Sequence, residues 1–143
     1  MAPPHILLVE DDDDHAELMV RALDEHGWAE DITRLEDGEQ ALHYLLGNER
    51  GEVGRAPDLL FLDLRLPRID GLEVLRQVKA STRLKRIPVI VMTTSDASID
   101  VERAYENHAN AYVVKPVDSE QLDKMVGDAS SFWLRWNRRP KEQ

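Results

Sequence analysis

Several side chains suited to phosphate chemistry stand directly behind short apolar runs. Glu10 and Asp11 follow Ile6–Val9, Asp63 follows Leu59–Leu62, Thr93 follows Val89–Met92, and Lys115 follows Tyr112–Val114. If those runs are neighbouring parallel strands, all five groups gather on one sheet edge. Three crowded carboxylates repel one another and need a cation to compensate them, and a hard, oxygen-ligated ion such as Mg²⁺ is the natural one. An ion held by a few carboxylates keeps exchangeable waters and can bind phosphate oxygens, while Lys115 adds a compact positive charge and Thr93 a hydroxyl. A carboxylate can itself be the nucleophile, so Asp63 is a candidate for aspartyl-phosphate formation.

The elements that must position these groups are legible in the pattern. Ile6–Val9 is wholly apolar, as a strand buried on both faces must be. Asp13 or Asp14 can cap a helix with Leu18, Met19, Ala22 and Leu23 on one face, stopped by Gly27. A weaker strand, Ile32–Leu35, leads to Asp37, a cap with Gln40 as its box partner, and Ala41, Leu42, Leu45 and Leu46 face inward before Gly47. The glycine-containing, mixed-charge segment 48–57 reads as an exposed loop, and Leu59–Leu62 as a buried strand. Pro67 and Gly71 bracket a turn before a helix carrying Leu72, Leu75 and Val78, which fades near 81–86. Pro88 opens Val89–Met92, residues 95–98 can cap a fourth helix carrying Ile99 and Tyr105, and Pro116 stops the strand Tyr112–Val114. Five βα units with nearly all-apolar strands imply a doubly wound α/β domain with a parallel sheet, in which ligands sit at the carboxyl ends of the strands.

At 143 residues and 42% hydrophobic content, one domain with a real core is expected, spanning 1–143, with 126–143 as an extended last helix and basic tail. That leaves no room for an output domain. The net charge of −10 repels nucleic acid and anionic membranes, so neither is an expected partner. No cysteine is present, which removes thiolate metal sites and cysteine nucleophiles. No apolar run reaches the ~20 residues that span a bilayer, and Met1-Ala2-Pro3-Pro4 does not open a signal peptide, so a cytoplasmic protein is expected.

Four motifs in order, Val9-Glu10-Asp11, Leu62-Asp63-Leu64-Arg65-Leu66-Pro67 with Asp70-Gly71, Met92-Thr93-Thr94, and Lys115-Pro116, resemble those of a response-regulator receiver domain over residues 6–125. The resemblance implies a flavodoxin-like (βα)5 fold with strand order 2-1-3-4-5. It implies Asp63 as phosphoacceptor, Asp11 as a direct Mg²⁺ ligand, Glu10 as a ligand through water, and the Arg65 backbone carbonyl on the same ion. Thr93 would hydrogen-bond the phosphoryl group and Lys115 would pair with it, with Thr93 and Tyr112 moving as the switch. Arg65 and Ser95 occupy positions that tune hydrolysis, and the Lys115–Pro116 bond is expected to be cis. The donor would be a phosphohistidine on a partner histidine kinase. The domain would not be an enzyme in its own right, but would assist its own phosphotransfer and autodephosphorylation.

The long loop before Pro57, Thr93-Thr94-Ser95 and Phe132-Trp133-Leu134 further resemble the single-domain regulators paired with bacterial phytochrome histidine kinases. That subclass implies a homodimer through the fourth helix, the fifth strand and the last helix. The alternative within the family is another single-domain receiver, such as a chemotaxis or relay intermediate.

Plainer readings stand beside these. Asp12–Asp14 is a solvated helix start, since acids favour the first turn, and the run lacks the glycine and glutamate of an EF-hand. Asp70 and Gly71 form a turn and cap that recognise nothing. His5, His15, His26, His43 and His108 lack ligand spacing and suit surface or half-buried roles. A phosphohydrolase of the haloacid-dehalogenase type is the rival chemistry, but it needs a second aspartate where Arg65 stands. Residues 118–137, with Leu122, Met125, Val126, Ala129, Trp133 and Trp136 at helical spacing, predict a helix of about 30 Å. Its aromatic and arginine-rich end suits an anchored tail or a dimer contact better than a membrane patch.

Overall fold

A computed structural model describes residues 2–140. Strands and helices alternate along the chain: β1 (Ile6–Val9), α1 (Asp13–Glu25), β2 (Ile32–Leu35), α2 (Gly38–Leu46), β3 (Leu59–Leu62), α3 (Gly71–Ala80), β4 (Val89–Thr93), α4 (Ser98–Glu106), β5 (Ala111–Val114) and α5 (Ser119–Ser131), followed by a π-helical turn, Phe132–Trp136. The sheet is parallel with order β2-β1-β3-β4-β5, the doubly wound topology that the sequence pattern requires.

Strand periodicity divides the core into two. Leu7, Val9, Leu60, Leu62, Val89 and Val91 face α2 and α3, while Ile6, Leu8, Leu59, Phe61, Ile90 and Met92 face α1 and α5. Only β1, β3 and β4 are buried throughout; β2 and β5 are edges, half-buried except for the exposed Val114 at the end of β5. In register, Val9 sits beside Leu35 and Leu62, and Leu62 beside Val91. The ladders continue one step beyond the strands, with Glu10 N donating to Leu35 O, Asp63 N to Val9 O and Lys115 N to Thr93 O. Residues that directly follow neighbouring strands are thereby fixed side by side.

Caps fix where the helices begin. Asp12, rather than Asp13 or Asp14, caps α1, its Oδ1 accepting from Asp14 N at 2.9 Å and His15 N at 3.1 Å. Asp37 caps α2 through Gln40 N at 2.7 Å, but the Gln40 side chain accepts from Glu36 N, one residue earlier than a capping box would have it. Asp70 and Asp118 cap α3 and α5. Gly27 and Gly47, at φ +85° and +119°, lead the chain out of α1 and α2. α4 is different: Ala97 supplies no side-chain cap, Ala104 is its one buried residue, and Ile99 and Tyr105 are half-exposed.

Three further expectations are corrected. The long last helix covers the expected stretch but changes form, because the α-helix ends at Ser131 and runs on without a gap as the π-helical turn Phe132–Trp136. Ser130 Oγ donates back to Val126 O and Gly127 O, and a wider turn follows, closed by Asn137 N donating to Phe132 O. The turn carries Leu134 into the core beside α1, and leaves Phe132 and Trp136 outside. Arg135 lies over the Trp28 ring at 5.6 Å and Arg139 pairs with Asp58 at 2.8 Å, so the tail is anchored on its own domain as far as Arg139; residues 141–143 and Met1 lie outside the described residues. Second, His5 is not on the surface. It is buried at the amino end of the sheet, where its ring meets Asp31 at 3.0 Å and the Tyr44 hydroxyl at 2.8 Å, satisfying a polar group that apolar surroundings would otherwise penalise. Third, Lys115–Pro116 is trans, as are all peptide bonds among the described residues. Lys115 reaches its partners from the trans form.

No helix among the described residues is long and apolar enough to cross a membrane. The widened turn makes a clear contrast: Leu134→Ala should cost about 2–3 kcal/mol in urea unfolding as a core truncation. Trp136→Ala, three-quarters exposed, should stay within about 0.5 kcal/mol.

Candidate functional site

The register delivers Glu10, Asp11, Asp63, Thr93 and Lys115 to the carboxyl edge of the central strands. One carboxylate oxygen from each of Glu10, Asp11 and Asp63 lies within 4.8 Å of the others. Glu10 and Asp63 are buried, while Asp11 is exposed. Lys115, also buried, enters from the end of β5, its Nζ donating to Asp63 Oδ2 at 2.7 Å and to Glu10 Oε1.

Burial pushes the Glu10 carboxyl up; the hydrogen bond from Lys115 opposes it, and the negative charge of Asp63 adds to the rise. Burial pulls the Lys115 ammonium down, but the hydrogen bonds to Asp63 and Glu10 outweigh it and leave the ammonium above its ordinary value. Lys115 therefore stays charged, and three carboxylates face one ammonium. This surplus of hard, anionic oxygen fits a divalent cation, with Glu10, Asp11 and Asp63 as the donors.

The backbone around Asp63 is tightly set. Arg65 N donates to Asp63 Oδ1 at 3.0 Å, and Gly71 N donates to Leu64 O at 3.0 Å. A Cβ on Gly71 would fall 2.0 Å from the Asp63 carbonyl oxygen and 2.7 Å from Leu64 Cα. Asp70 is the plain cap expected of it, through Leu72 N, but Gly71 has a further role: α3 packs so closely under Asp63 that no side chain fits.

Thr93 is fully buried at the end of β4, its Oγ1 accepting a long bond of 3.4 Å from Ser95 N. Tyr112 is half-buried on β5 and its hydroxyl donates to Ser95 O at 2.9 Å. The Arg65 guanidinium turns away from the carboxylates toward α4, where it meets Asp100 at 2.7 Å.

Two contributors were not singled out from sequence. His15, one turn into α1 from Asp11, brings Nδ1 to 3.2 Å from Lys115 Nζ. Arg34 on β2 donates through Nε and Nη2 to Glu10 O at 2.9 and 2.7 Å, and through Nη1 to Asp13 at 2.8 Å. A long basic side chain within a short strand was the available signal for Arg34. His15 could be found only by placing it one helical turn from the acids.

The response regulator receiver domain model matches residues 6–127. Among relatives, the probable methanogenesis regulatory protein FilR2 of Methanothrix harundinacea is 49% identical, over 94% of this chain and 86% of its own length. Response regulator Rcp1 of Synechocystis sp. is 41% identical over 92% of this chain and 90% of its own. The crystal structure of Rcp1 in its Mn²⁺-bound form superposes with a TM-score of 0.90, at 40% identity, over 97% of this chain and all of that one. The phosphorylated cyanobacterial phytochrome response regulator RcpA gives the same TM-score at 37% identity, over 98% of this chain and all of its own.

Removing one of three crowded charges has opposite effects with and without metal. Asp11→Asn should raise the stability of the metal-free protein by about 1 kcal/mol through relief of repulsion. The same change should abolish the rise in melting temperature on adding MgCl₂, which paired thermal melts would check.

Proposed function

The chain belongs to the response regulator receiver family, and from its acidic edge we propose that it takes a phosphoryl group from a partner histidine kinase on Asp63, in a reaction that requires Mg²⁺. The observation that carries this reading is the set of three carboxylates within 4.8 Å of one another, with the Lys115 ammonium 2.7 Å from Asp63. Asp63 is the nucleophile: a bond forms from its carboxylate oxygen to phosphorus as the bond to the kinase imidazole breaks. Asp11 and Asp63 would hold Mg²⁺ directly, Glu10 through water, and Arg65 through its backbone carbonyl. The ion supplies charge neutralisation at the transferring phosphoryl oxygens. Lys115 stays paired with the site and balances the charge added to Asp63. The Thr93 hydroxyl turns from Ser95 N to the phosphoryl group, and Tyr112, hydrogen-bonded to the same loop, follows it.

The chain is then no enzyme toward external substrates, but assists its own phosphotransfer and later its own autodephosphorylation. A phosphate-ester hydrolase would need a second acid where Arg65 stands, and that guanidinium is engaged by Asp100. The likeness to Rcp1 and RcpA supports a phytochrome-type kinase as partner. FilR2 carries a different role in its name, and with it the alternative of another receiver or relay pathway. The signal would leave through a homodimer of α4, β5 and α5, where Ile99, Tyr105 and Val114 are exposed apolar groups. A cytoplasmic setting follows from the kinase partner.

Acetyl phosphate with MgCl₂ should label the chain, and the label should vanish with EDTA and in Asp63→Asn while the fold, read by circular dichroism, survives. Labelling that persists in Asp63→Asn would overturn the assignment. For the dimer, sedimentation should show association that Ile99→Arg weakens without loss of labelling.

A further inference from the structure

α4 is the helix least tied to the rest of the domain. Ala104 is its one buried residue and its N-cap, Ala97, offers no side-chain acceptor. Its first turn is held instead by Asp100. Asp100 Oδ2 accepts from Ser95 Oγ at 2.5 Å and from the Arg65 guanidinium at 2.7 Å, and its side chain is only 16% exposed. These donors stand two residues after Asp63 and two after Thr93, so one carboxylate joins both loops of the site to the helix. The β4–α4 loop is knotted at the same point, because Ser95 Oγ also accepts from Ala97 N and Ser95 O from the Tyr112 hydroxyl.

We propose that Asp100 is a lock on α4, opened when the phosphoryl group on Asp63 draws the Arg65 guanidinium away from it. The inference rests on Asp63 as phosphoacceptor. Arg65 is already tethered beside that residue, its backbone N–H on Asp63 Oδ1, while its side chain is 63% exposed and free to swing. Its bond to Asp100 is a surface pair, weakened by solvent. A phosphoryl group carries more charge and three acceptor oxygens that suit the planar fork of a guanidinium, so it is the stronger partner. The exchange leaves Asp100 with Ser95 alone, on a loop that moves with Thr93. With so little burial to hold it, the first turn of α4 loosens around Ile99. Arg65 drawn over the phosphorus also shields it from water, so the acyl phosphate lives longer once Asp100 no longer competes.

Hydrogen exchange at amides 98–102 and acyl-phosphate lifetime, measured on the full chain with acetyl phosphate and Mg²⁺, test the lock in wild type, Asp100→Ala, Arg65→Ala and the double variant. Phosphorylation should speed exchange about tenfold in wild type. Unphosphorylated Asp100→Ala should already exchange at the faster rate and gain nothing further. Its acyl phosphate should outlive that of wild type severalfold, and the difference should vanish when Arg65 is also removed. A structural defect alone would loosen the helix without making the lifetime depend on Arg65. Unchanged exchange on phosphorylation, or a lifetime effect that persists without Arg65, overturns the proposal. Failure of wild type to take label would instead fell the phosphoacceptor reading; ordinary exchange in unphosphorylated Asp100→Ala would still overturn the lock by itself.

Discussion

Lys115 brings a single ammonium to two buried carboxylates, Glu10 and Asp63, while a third, Asp11, stands alongside at the solvent edge. Burying carboxylates is costly unless they are paired, and leaving them short of positive charge creates a demand for a cation. Much of the surrounding structure serves to hold that unbalanced arrangement. Arg34 fixes the Glu10 backbone, Gly71 lets α3 close under Asp63, and the ladders that continue past β1, β3 and β5 align the three chain segments.

The fold was legible because apolar strands bounded by acids, and helices bounded by aspartate and glycine, obey local rules. Strand limits for β1, β2 and β3 coincide with the segments the sequence pattern marks as strands, and the strand-end groups meet as their position requires. Legibility failed where tertiary packing overrides local pattern. Helical spacing continues through residue 136, yet Leu134 reaches the core only through a widened turn, which periodicity does not encode. His5 lacks ligand spacing because its partners, Asp31 and Tyr44, come from different elements. Asp100 reads as an ordinary acid in the first turn of a helix, and nothing local announces that Arg65, 35 residues away, rests on it.

The domain divides its rigidity unequally. At the amino end of the sheet, His5, Asp31, Tyr44, Asp58, Arg55 and Arg139 close a network joining β1, β2, the 48–57 loop and the tail. α1 and α5 pack broadly against one face of the sheet, whereas α4, on the other face, has one buried alanine and a handful of polar ties. Motion provoked at the carboxylates therefore has one cheap outlet, and the opposite end of the same strands serves as its fixed support.

Gly71 has a consequence for how such a chain can diverge. The obstacle to a side chain there is the carbonyl oxygen of Asp63, a backbone atom that no compensating substitution can trim. Neighbouring positions can exchange one apolar group for another and repack, but drift at this one is barred by the backbone of the very residue that carries the reactive carboxylate. A methyl group gained there would be felt first as a misplaced nucleophile and only afterwards as a weakened fold.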